Sequence, residues 1–279
     1  MHTSVVARRS WLTLCLSLVA ASAFAQAQPA TKPFEPQVGQ QGKDVVWVPT
    51  ADALVEKMLD LAKVTAEDFV MDLGSGDGRT VIAAAKRGAK ALGVEYNPDM
   101  VALSKRNAAT AGMTARATFV EADLFKTDLS QATVITMFLL PSINLELRPK
   151  ILDLKPGTRI VSNTFTMGDW EPDDRFRVEN ARCSSWCEAL FWLVPAKVEG
   201  TWRLPQGDLT LKQSYQMITG TLGSGESATP IGEGKLQGAE ITFIAGGSHY
   251  TGRVNGSSMQ GTVASAGSTN KWGATRVGS

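Results

Sequence analysis

Val70-Met71-Asp72-Leu73-Gly74-Ser75-Gly76-Asp77-Gly78-Arg79 has the composition of a buried strand that runs into a glycine turn and then into a helix. Gly74, Gly76 and Gly78 allow the backbone to bend sharply and to approach a ligand without a side-chain clash. The helix that follows presents its free N–H groups to whatever occupies the turn. The stretch therefore predicts a cofactor site, with an acidic residue, Asp72, two places before the first glycine.

Strands and helices alternate along the chain around this stretch. Five strands are predicted at Phe69–Leu73, Ala91–Glu95, Ala117–Glu121, Thr133–Leu139 and Arg159–Asn163. Helices are predicted at Arg79–Arg87, Asn97–Ala111 and Leu145–Leu154, and two late strands at Phe176–Glu179 and Leu190–Val194. This alternation is typical of the α/β class, with a Rossmann-like, doubly wound, mostly parallel sheet. Ligands of such sheets bind at the carboxyl ends of the strands, which is where the glycine turn falls.

The composition changes after Pro195. Sixteen of the 26 glycines lie at or after Gly200, and no helical periodicity remains there. Short alternating runs separated by glycine or serine turns predict a small antiparallel β domain. We therefore expect the α/β domain to span residues 45–197 and the β domain to span residues 198–279.

The first 25 residues have the pattern of a secretory signal peptide. Arg8 and Arg9 precede an apolar run that ends in Ala23-Phe24-Ala25, a small-x-small cleavage signal. The run is short for a transmembrane helix, which needs about 20 apolar residues. We expect cleavage after Ala25 and export to the periplasm, by the general or the twin-arginine route. Residues 26–44 are predicted to form a flexible linker, and no integral membrane segment is expected after signal removal.

Charge and histidine content exclude several classes of function. The formal net charge is +1, and it becomes −1 once Arg8 and Arg9 leave with the signal, so nothing predicts a nucleic-acid partner. His249 is then the single remaining histidine. A Ser-His-Asp triad or a histidine-rich metal site therefore has no basis, and no metal site is predicted. The chemistry at the glycine turn must proceed without an imidazole.

Residues around the turn favour a nucleoside cofactor over a dinucleotide. A dinucleotide fingerprint has glycine at the sixth position of G-x-G-x-x-G, where this chain has Arg79. Glu95 ends the second strand, 21 residues after Gly74, where an acid accepts from both ribose hydroxyls. Asp123 follows the third strand, where it can accept from an adenine amino group. Asp72 is placed either to accept from the amino group of an amino-acid-like ligand or to orient the glycine loop.

Three motifs resemble those of class I S-adenosylmethionine-dependent methyltransferases, namely Asp72–Arg79, Glu95-Tyr96-Asn97-Pro98 and Glu121-Ala122-Asp123-Leu124. Val48-Pro49-Thr50 adds a closer similarity to a small family of protein-lysine methyltransferases, with archaeal members and mitochondrial members that modify inner-membrane carriers and ATP synthase. The resemblance covers roughly Val45 to Trp170. It implies a seven-stranded sheet and S-adenosyl-L-methionine as the cofactor. The cofactor-binding residues that it implies are Asp72, Gly74, Ser75, Gly76, Gly78, Glu95, Tyr96, Asp123 and Leu124.

Phe138-Leu139-Leu140-Pro141-Ser142-Ile143-Asn144 stands where that family has its substrate-side motif. We accordingly expect Pro141 and Asn144 to be catalytic residues that line the acceptor slot, with Trp47 and Phe138 as apolar walls or as ordinary core. Methyl transfer from a sulfonium is an in-line displacement, which requires positioning more than acid–base chemistry. The resemblance implies a protein or amine acceptor, foremost a protein lysine. The alternatives are a small-molecule methyltransferase and a non-catalytic exported binding protein on a methyltransferase scaffold.

Two cysteines, Cys183 and Cys187, remain once the signal is removed. In a straight strand their Cα atoms would be about 13 Å apart, which is too far for a disulfide. In a helical turn or a tight loop they approach to about 6 Å, and an exported protein permits the bond. The sequence leaves a disulfide and two free thiols both open.

Overall fold

The computed structural model of the chain describes residues 1–4, 34–43, 45–179, 183, 185–223 and 225–278. The predicted signal peptide lies outside the described residues except for Met1–Ser4, which contain neither helix nor strand. Four α-helices lie in the described part: α1 (Asp52–Leu61), α2 (Arg79–Lys86), α3 (Pro98–Thr110) and α4 (Pro141–Leu152). None of these described helices has the length and apolar character needed to cross a membrane.

Seven strands form the first sheet: β1 (Phe69–Leu73), β2 (Lys90–Glu95), β3 (Ala117–Glu121), β4 (Val134–Met137), β5 (Arg159–Asn163), β6 (Asp174–Arg177) and β7 (Glu188–Leu193). Their order is β3-β2-β1-β4-β5-β7-β6. The first five are parallel, and β7 runs antiparallel to its neighbours β5 and β6. The predicted doubly wound α/β fold is confirmed. The strand order reverses between β1 and β4, which places a binding crevice at their carboxyl ends.

Helices cover both faces of the sheet. Strands β1, β4 and β5 are buried almost throughout, as expected of parallel strands with both faces covered. On one face, α1, α2 and α3 pack through a cluster that includes Leu54, Leu59, Val81 and Val101. On the other face, α4 packs through a cluster that includes Ile143, Leu147, Ile151, Trp170 and Trp192. The two clusters hold the carboxyl edge of the sheet in a fixed geometry.

Several element boundaries differ from the prediction by one or two residues, and two differences are larger. Helix α4 begins at Pro141, four residues before the predicted start at Leu145. Proline is favoured at the first position of a helix, because its missing N–H would be unpaired there in any case. The strand at Gly200–Leu204 was not predicted, because we interpreted this stretch as the boundary between the domains. It carries Trp202, which is fully buried.

The chain after Glu199 forms a closed antiparallel barrel of eight strands, which confirms the predicted small antiparallel β domain. The strands are β8 (Gly200–Leu204), β9 (Gly207–Ser214), β10 (Met217–Leu222), β11 (Thr229–Gln237), β12 (Glu240–Ala245), β13 (Ser248–Asn255), β14 (Ser258–Ser265) and β15 (Ser268–Arg276). Strand β15 pairs with β8 to close the barrel. A barrel of this size is filled by side chains, here by a core that includes stacked Phe243 and Tyr250 with Trp272 at their edges.

The barrel docks on the segment between β5 and β6. The Tyr215 ring stacks on the buried Trp170, with ring centroids 5.9 Å apart, and its hydroxyl donates to the Asp169 carboxylate at 2.9 Å. The Gln216 side chain donates to the Glu171 carbonyl at 2.8 Å. Burial raises the pKa of Asp173, which faces Lys235 of the barrel at 3.8 Å. These contacts fix the segment that follows β5 against the barrel.

Candidate active site

A cleft opens at the carboxyl ends of β1, β2, β3 and β4. Its floor is the glycine turn after β1, and its sides are the ends of β2 and β4 and the residues that follow β3. This is the position that the reversal of strand order predicts for a ligand. Eight of the predicted cofactor-binding residues line it, namely Asp72, Gly74, Ser75, Gly76, Glu95, Tyr96, Asp123 and Leu124.

The glycine turn requires its glycines for conformation and for space. Gly74 and Gly76 have φ angles of 75° and 52°, in the left-handed region that L side chains rarely adopt. A Cβ atom on Gly74 would lie 2.9 Å from a Leu139 methyl group, and one on Gly76 would lie 2.8 Å from the Trp47 ring nitrogen. The turn therefore brings bare backbone to the floor of the cleft.

Glu95 holds the glycine turn to the end of β2. One of its carboxylate oxygens accepts from the Gly76 N–H at 2.9 Å, and the other accepts from the Asn97 N–H at 3.0 Å. Asn97 in turn caps α3 by accepting from the Asp99 N–H. Each carboxylate oxygen keeps a second lone pair. Glu95 is thus fixed in orientation and can still accept from the two ribose hydroxyls.

Asp72 is a buried carboxyl group at the centre of the cleft. Burial raises its pKa to about 7, and the negative charges of Asp77 and Glu95 act in the same direction. The Thr136 hydroxyl, which donates to Asp72 at 2.6 Å, acts in the opposite direction by stabilising the ionised form. A cationic group bound beside Asp72 would favour ionisation, so the residue suits the amino group of an amino-acid ligand.

Arg79, the residue that replaces the glycine of a dinucleotide fingerprint, fastens the turn to the chain before α1. Its guanidinium donates to the Asp77 carboxylate at 2.6 Å and to the Thr50 carbonyl at 2.9 Å. Thr50 and Asp77 both line the cleft. The arginine therefore links two walls of the site. Sequence reasoning missed this role, because it used Arg79 only as a motif position and to exclude a dinucleotide fingerprint.

The segment before α1 covers the cleft. Residues 34–43, which we predicted to be part of a flexible linker, instead begin a hairpin in which the Trp47 N–H donates to the Gln40 carbonyl at 2.8 Å. Lys43 lies 3.7 Å from the Asp123 carboxylate and 4.2 Å from the centre of the Tyr96 ring. Sequence reasoning missed Lys43, because only contacts between distant parts of the chain bring it to the two predicted ligand residues.

Three predicted site residues lie outside the lining of this cleft. Gly78 caps α2, and a Cβ there would lie 2.7 Å from the Phe119 ring, so its role is packing. Pro141 is exposed at the start of α4. Asn144 is buried and donates to the Phe165 and Thr166 carbonyls, both at 3.2 Å. Because α4 begins earlier than predicted, Asn144 turns to its buried face, where it ties α4 to the segment after β5.

The lining residues fit S-adenosyl-L-methionine. Asp72, Glu95 and Asp123 stand at the ends of three adjacent strands, where they can accept from an amino group, a ribose and an adenine. The Ser75 hydroxyl is buried against Gly93 and has no hydrogen-bond partner among the described residues. The bare backbone of the turn leaves room beside these groups for a ligand. The arrangement provides groups that can position the cofactor.

The ANTKMT methyltransferase domain matches residues 72–174, which end before the barrel. A protein-lysine N-methyltransferase of Saccharolobus islandicus is 45% identical over 139 residues, which are 49% of this chain and 86% of that protein. The adenine nucleotide translocase lysine N-methyltransferase of Mus musculus is 37% identical over 130 residues. This match covers 46% of this chain and only 56% of the mouse protein.

A solved structure is similar over about half of the chain. It is that of an RNA methyltransferase from Salinibacter ruber in complex with S-adenosyl-L-homocysteine. The two chains are 42% identical with a TM-score of 0.51, over 54% of this chain and 96% of the other. The chain therefore belongs to the class I S-adenosylmethionine-dependent methyltransferases, within the protein-lysine methyltransferase family that its motifs resemble.

Proposed function

We propose that the enzyme transfers a methyl group from S-adenosyl-L-methionine to the side-chain amine of a lysine in a protein. The observation that carries the proposal is the 45% identity to an archaeal protein-lysine N-methyltransferase over 86% of that protein's length. The predicted cofactor-binding residues at the carboxyl edge of the sheet, Gly78 excepted, line one cleft. Because the matched relatives share only about half of this chain, the barrel provides no argument for the acceptor.

The chain's own residues would position the two reactants. S-adenosyl-L-methionine supplies an electrophilic methyl group on a positively charged sulfur. Asp72 would hold the amino group of the cofactor, Glu95 its ribose and Asp123 its adenine, which leaves the β4 side of the cleft for the acceptor. Holding reactants in attack geometry accounts for a large part of the rate of such displacements.

A lysine acceptor must lose its proton before it attacks. At pH 7 only about 1 in 2,500 free lysine side chains is neutral, since the usual pKa is about 10.4. Phe138, Leu139 and Ile143 line the β4 side of the cleft, and an apolar wall favours the neutral amine because it desolvates the ammonium form. Thr50 Oγ1 accepts from the Asn163 amide at 3.3 Å and keeps a second lone pair for an amine N–H.

Radiolabel transfer from S-adenosyl-L-methionine into a cell extract tests the proposal. Label in protein that is recovered as methylated lysine after hydrolysis supports it. Label that is removed by ribonuclease would instead favour an RNA acceptor, and label in the low-molecular-weight fraction would favour a small molecule. At a limiting concentration of cofactor, Asp72→Asn should lower transfer at least about tenfold. The matched control Asp99→Asn, at an exposed position in the first turn of α3, should leave transfer unchanged.

We also propose that the protein is exported. The proposal is supported by the signal pattern of residues 1–25 and by a disulfide between Cys183 and Cys187, a bond typical of oxidising compartments. Fractionation followed by mass spectrometry of the N-terminus tests it. A periplasmic chain that begins at Gln26 is the expected result. An uncleaved chain in the cytoplasm would reject the proposal.

A further inference from the structure

Three aromatic rings form a continuous wall beside the cleft. Phe138, which lines the cleft, stacks on Phe165 with ring centroids 5.8 Å apart and an interplanar angle of 19°. The ring centroids of Trp186 and Phe138 are 6.0 Å apart, with an interplanar angle of 57°. We call Phe138, Phe165 and Trp186 the aromatic wall. It extends from the cleft to the surface of the protein, where Trp186 is 44% exposed.

The topology of the sheet brings these three rings together. Phe138 directly follows β4, Phe165 lies two residues after β5, and Trp186 lies two residues before β7. Strands β4, β5 and β7 are neighbours, and β7 is antiparallel to β5. Its beginning therefore lies at the same edge as the ends of the parallel strands. The Thr164 N–H, which donates to the Glu188 carbonyl at 2.7 Å, joins the two strand ends there.

Trp186 is more exposed than the other tryptophans of the described residues. Trp170, Trp192 and Trp202 are fully buried, whereas Trp186 presents its ring to solvent. Its φ angle of 53° is in the left-handed region, which is costly for a bulky residue. The disulfide between Cys183 and Cys187 ties the chain on both sides of it. A bulky side chain held in this conformation against Phe138, which lines the cleft, indicates a functional constraint.

We propose that the aromatic wall binds the side chain of the acceptor lysine, and that the Cys183–Cys187 disulfide positions Trp186 for this purpose. The proposal deepens the proposed function and rests on it. Aromatic faces attract an ammonium group and also cover the aliphatic stem of a lysine, so one surface suits both parts of the side chain. The wall leads from the exposed Trp186 to Phe138 at the cleft, which is the direction in which an acceptor must enter.

Kinetics on a defined peptide test the wall. With Gly-Leu-Lys-Leu-Gly as the acceptor, Trp186→Ala should raise KM about tenfold, in keeping with an aromatic–ammonium contact. The kcat and the Kd for S-adenosyl-L-methionine should change less than twofold, and Trp186→Phe should restore most of the KM. Phe176→Ala is the matched control, because Phe176 has a similar exposed fraction, 43%, and does not belong to the wall. Equal KM values for Trp186→Ala and Phe176→Ala would overturn the proposal.

The role of the disulfide has its own test. A reductant should raise the KM of the wild-type protein severalfold, and the variant with both Cys183→Ser and Cys187→Ser should show the same raised KM without reductant. The same reductant should leave the KM of the Trp186→Ala variant unchanged, because the disulfide acts through that ring. A reductant effect of equal size in both proteins would show that the bond has a merely structural role. Melting temperatures of each protein, measured under the conditions of its kinetic assay, exclude unfolding as the cause.

A binding measurement separates the wall from the proposed reaction. In protein labelled with 5-fluorotryptophan and saturated with S-adenosyl-L-homocysteine, the Trp186 resonance is identified by its loss in Trp186→Phe. The lysine peptide should shift this resonance at a concentration at least threefold lower than the same peptide with norleucine in place of lysine. Methyl transfer without such a shift would overturn the wall and leave the proposed function standing. A shift without transfer would support the wall as a lysine-binding surface and overturn lysine methylation.

Discussion

Replacement of Asp72 by asparagine should make the protein more stable at pH 8 while it weakens cofactor binding. Asp72 is buried at the centre of the cleft, and its burial raises its pKa to about 7, against about 3.9 in an unfolded chain. Above pH 7 the folded protein therefore carries a buried charge that the unfolded chain accommodates in water. Asparagine has nearly the same shape, keeps an oxygen that accepts from Thr136, and carries no charge.

The sign and the size of the effect follow from proton linkage. Between about pH 4 and pH 7 the folded state keeps a proton that the unfolded state has released, so stability falls as the pH rises through this window. Asp72 has a pKa of about 7 in the folded state and about 3.9 in the unfolded state. Between pH 5 and pH 8 it therefore lowers the free energy of unfolding by about 3 kcal/mol. Asp72→Asn should lack this loss, whereas the contributions of other groups, such as Asp173, remain the same in both proteins.

Urea unfolding at pH 5 and at pH 8, without cofactor, measures the free energies. The fall in the free energy of unfolding from pH 5 to pH 8 should be about 3 kcal/mol smaller for Asp72→Asn than for wild type. Thr136→Val is the directional control. It removes the hydrogen bond that favours the ionised carboxylate, so it should make stability fall more steeply with pH. Calorimetry with S-adenosyl-L-methionine at pH 8 should show affinity reduced about 10- to 100-fold for Asp72→Asn, from loss of a charge-assisted hydrogen bond.

The reasoning would be refuted if Asp72→Asn showed the same pH dependence of stability as wild type. It would also be refuted if the variant were less stable at pH 8 and still bound the cofactor with unchanged affinity. In the first case Asp72 would already be ionised in the folded protein at pH 5. In the second case the carboxyl group would hold the structure of the cleft instead of the ligand.

Three further changes test other parts of the structure. Gly76→Ala should lower the cofactor affinity measured by calorimetry at least tenfold, because the added Cβ would contact Trp47 and the φ angle is left-handed. An unchanged affinity would contradict the close packing of the turn. Tyr215→Phe should lower the free energy of unfolding by about 1 kcal/mol in urea, through loss of one hydrogen bond between the barrel and the sheet domain. Replacing both Cys183 and Cys187 by serine should lower the free energy of unfolding by about 2 kcal/mol, because the disulfide closes a short loop in the unfolded chain. An unchanged free energy would show that the bond does not restrict the unfolded chain.

Local sequence was sufficient for the bounds of three of the parallel strands. The strands Phe69–Leu73, Ala117–Glu121 and Arg159–Asn163 have the predicted bounds, because a short run rich in apolar or β-branched residues and flanked by turn residues favours a strand. The three acidic positions of the cleft were found in the same way, since each belongs to such a run or closely follows it. Parallel strands of one sheet necessarily bring their carboxyl ends to one edge.

Contacts between distant parts of the chain account for what local reasoning missed. The composition of residues 34–43 is that of a linker, whereas in the structure the segment lines the cleft and pairs with Trp47, which lies against the glycine turn. Asn144 was assigned to the acceptor slot from its motif alone. Because α4 already begins at Pro141, helical spacing places Asn144 on the same buried face as Leu147 and Ile151. It therefore meets the segment after β5 instead of the cleft.

The segment after β5 connects these observations. It begins beside Phe165 of the aromatic wall, whose carbonyl accepts from Asn144, and it continues to Trp170, on which the barrel docks through Tyr215. The Arg148 side chain of α4 donates to the Met167 carbonyl at 2.7 Å, between these two points. The barrel and α4 thus hold the same short segment from two sides. Because neither contact is local in sequence, the β domain looks unrelated to the cleft in the sequence, whereas in the structure it braces the segment that carries one ring of the wall.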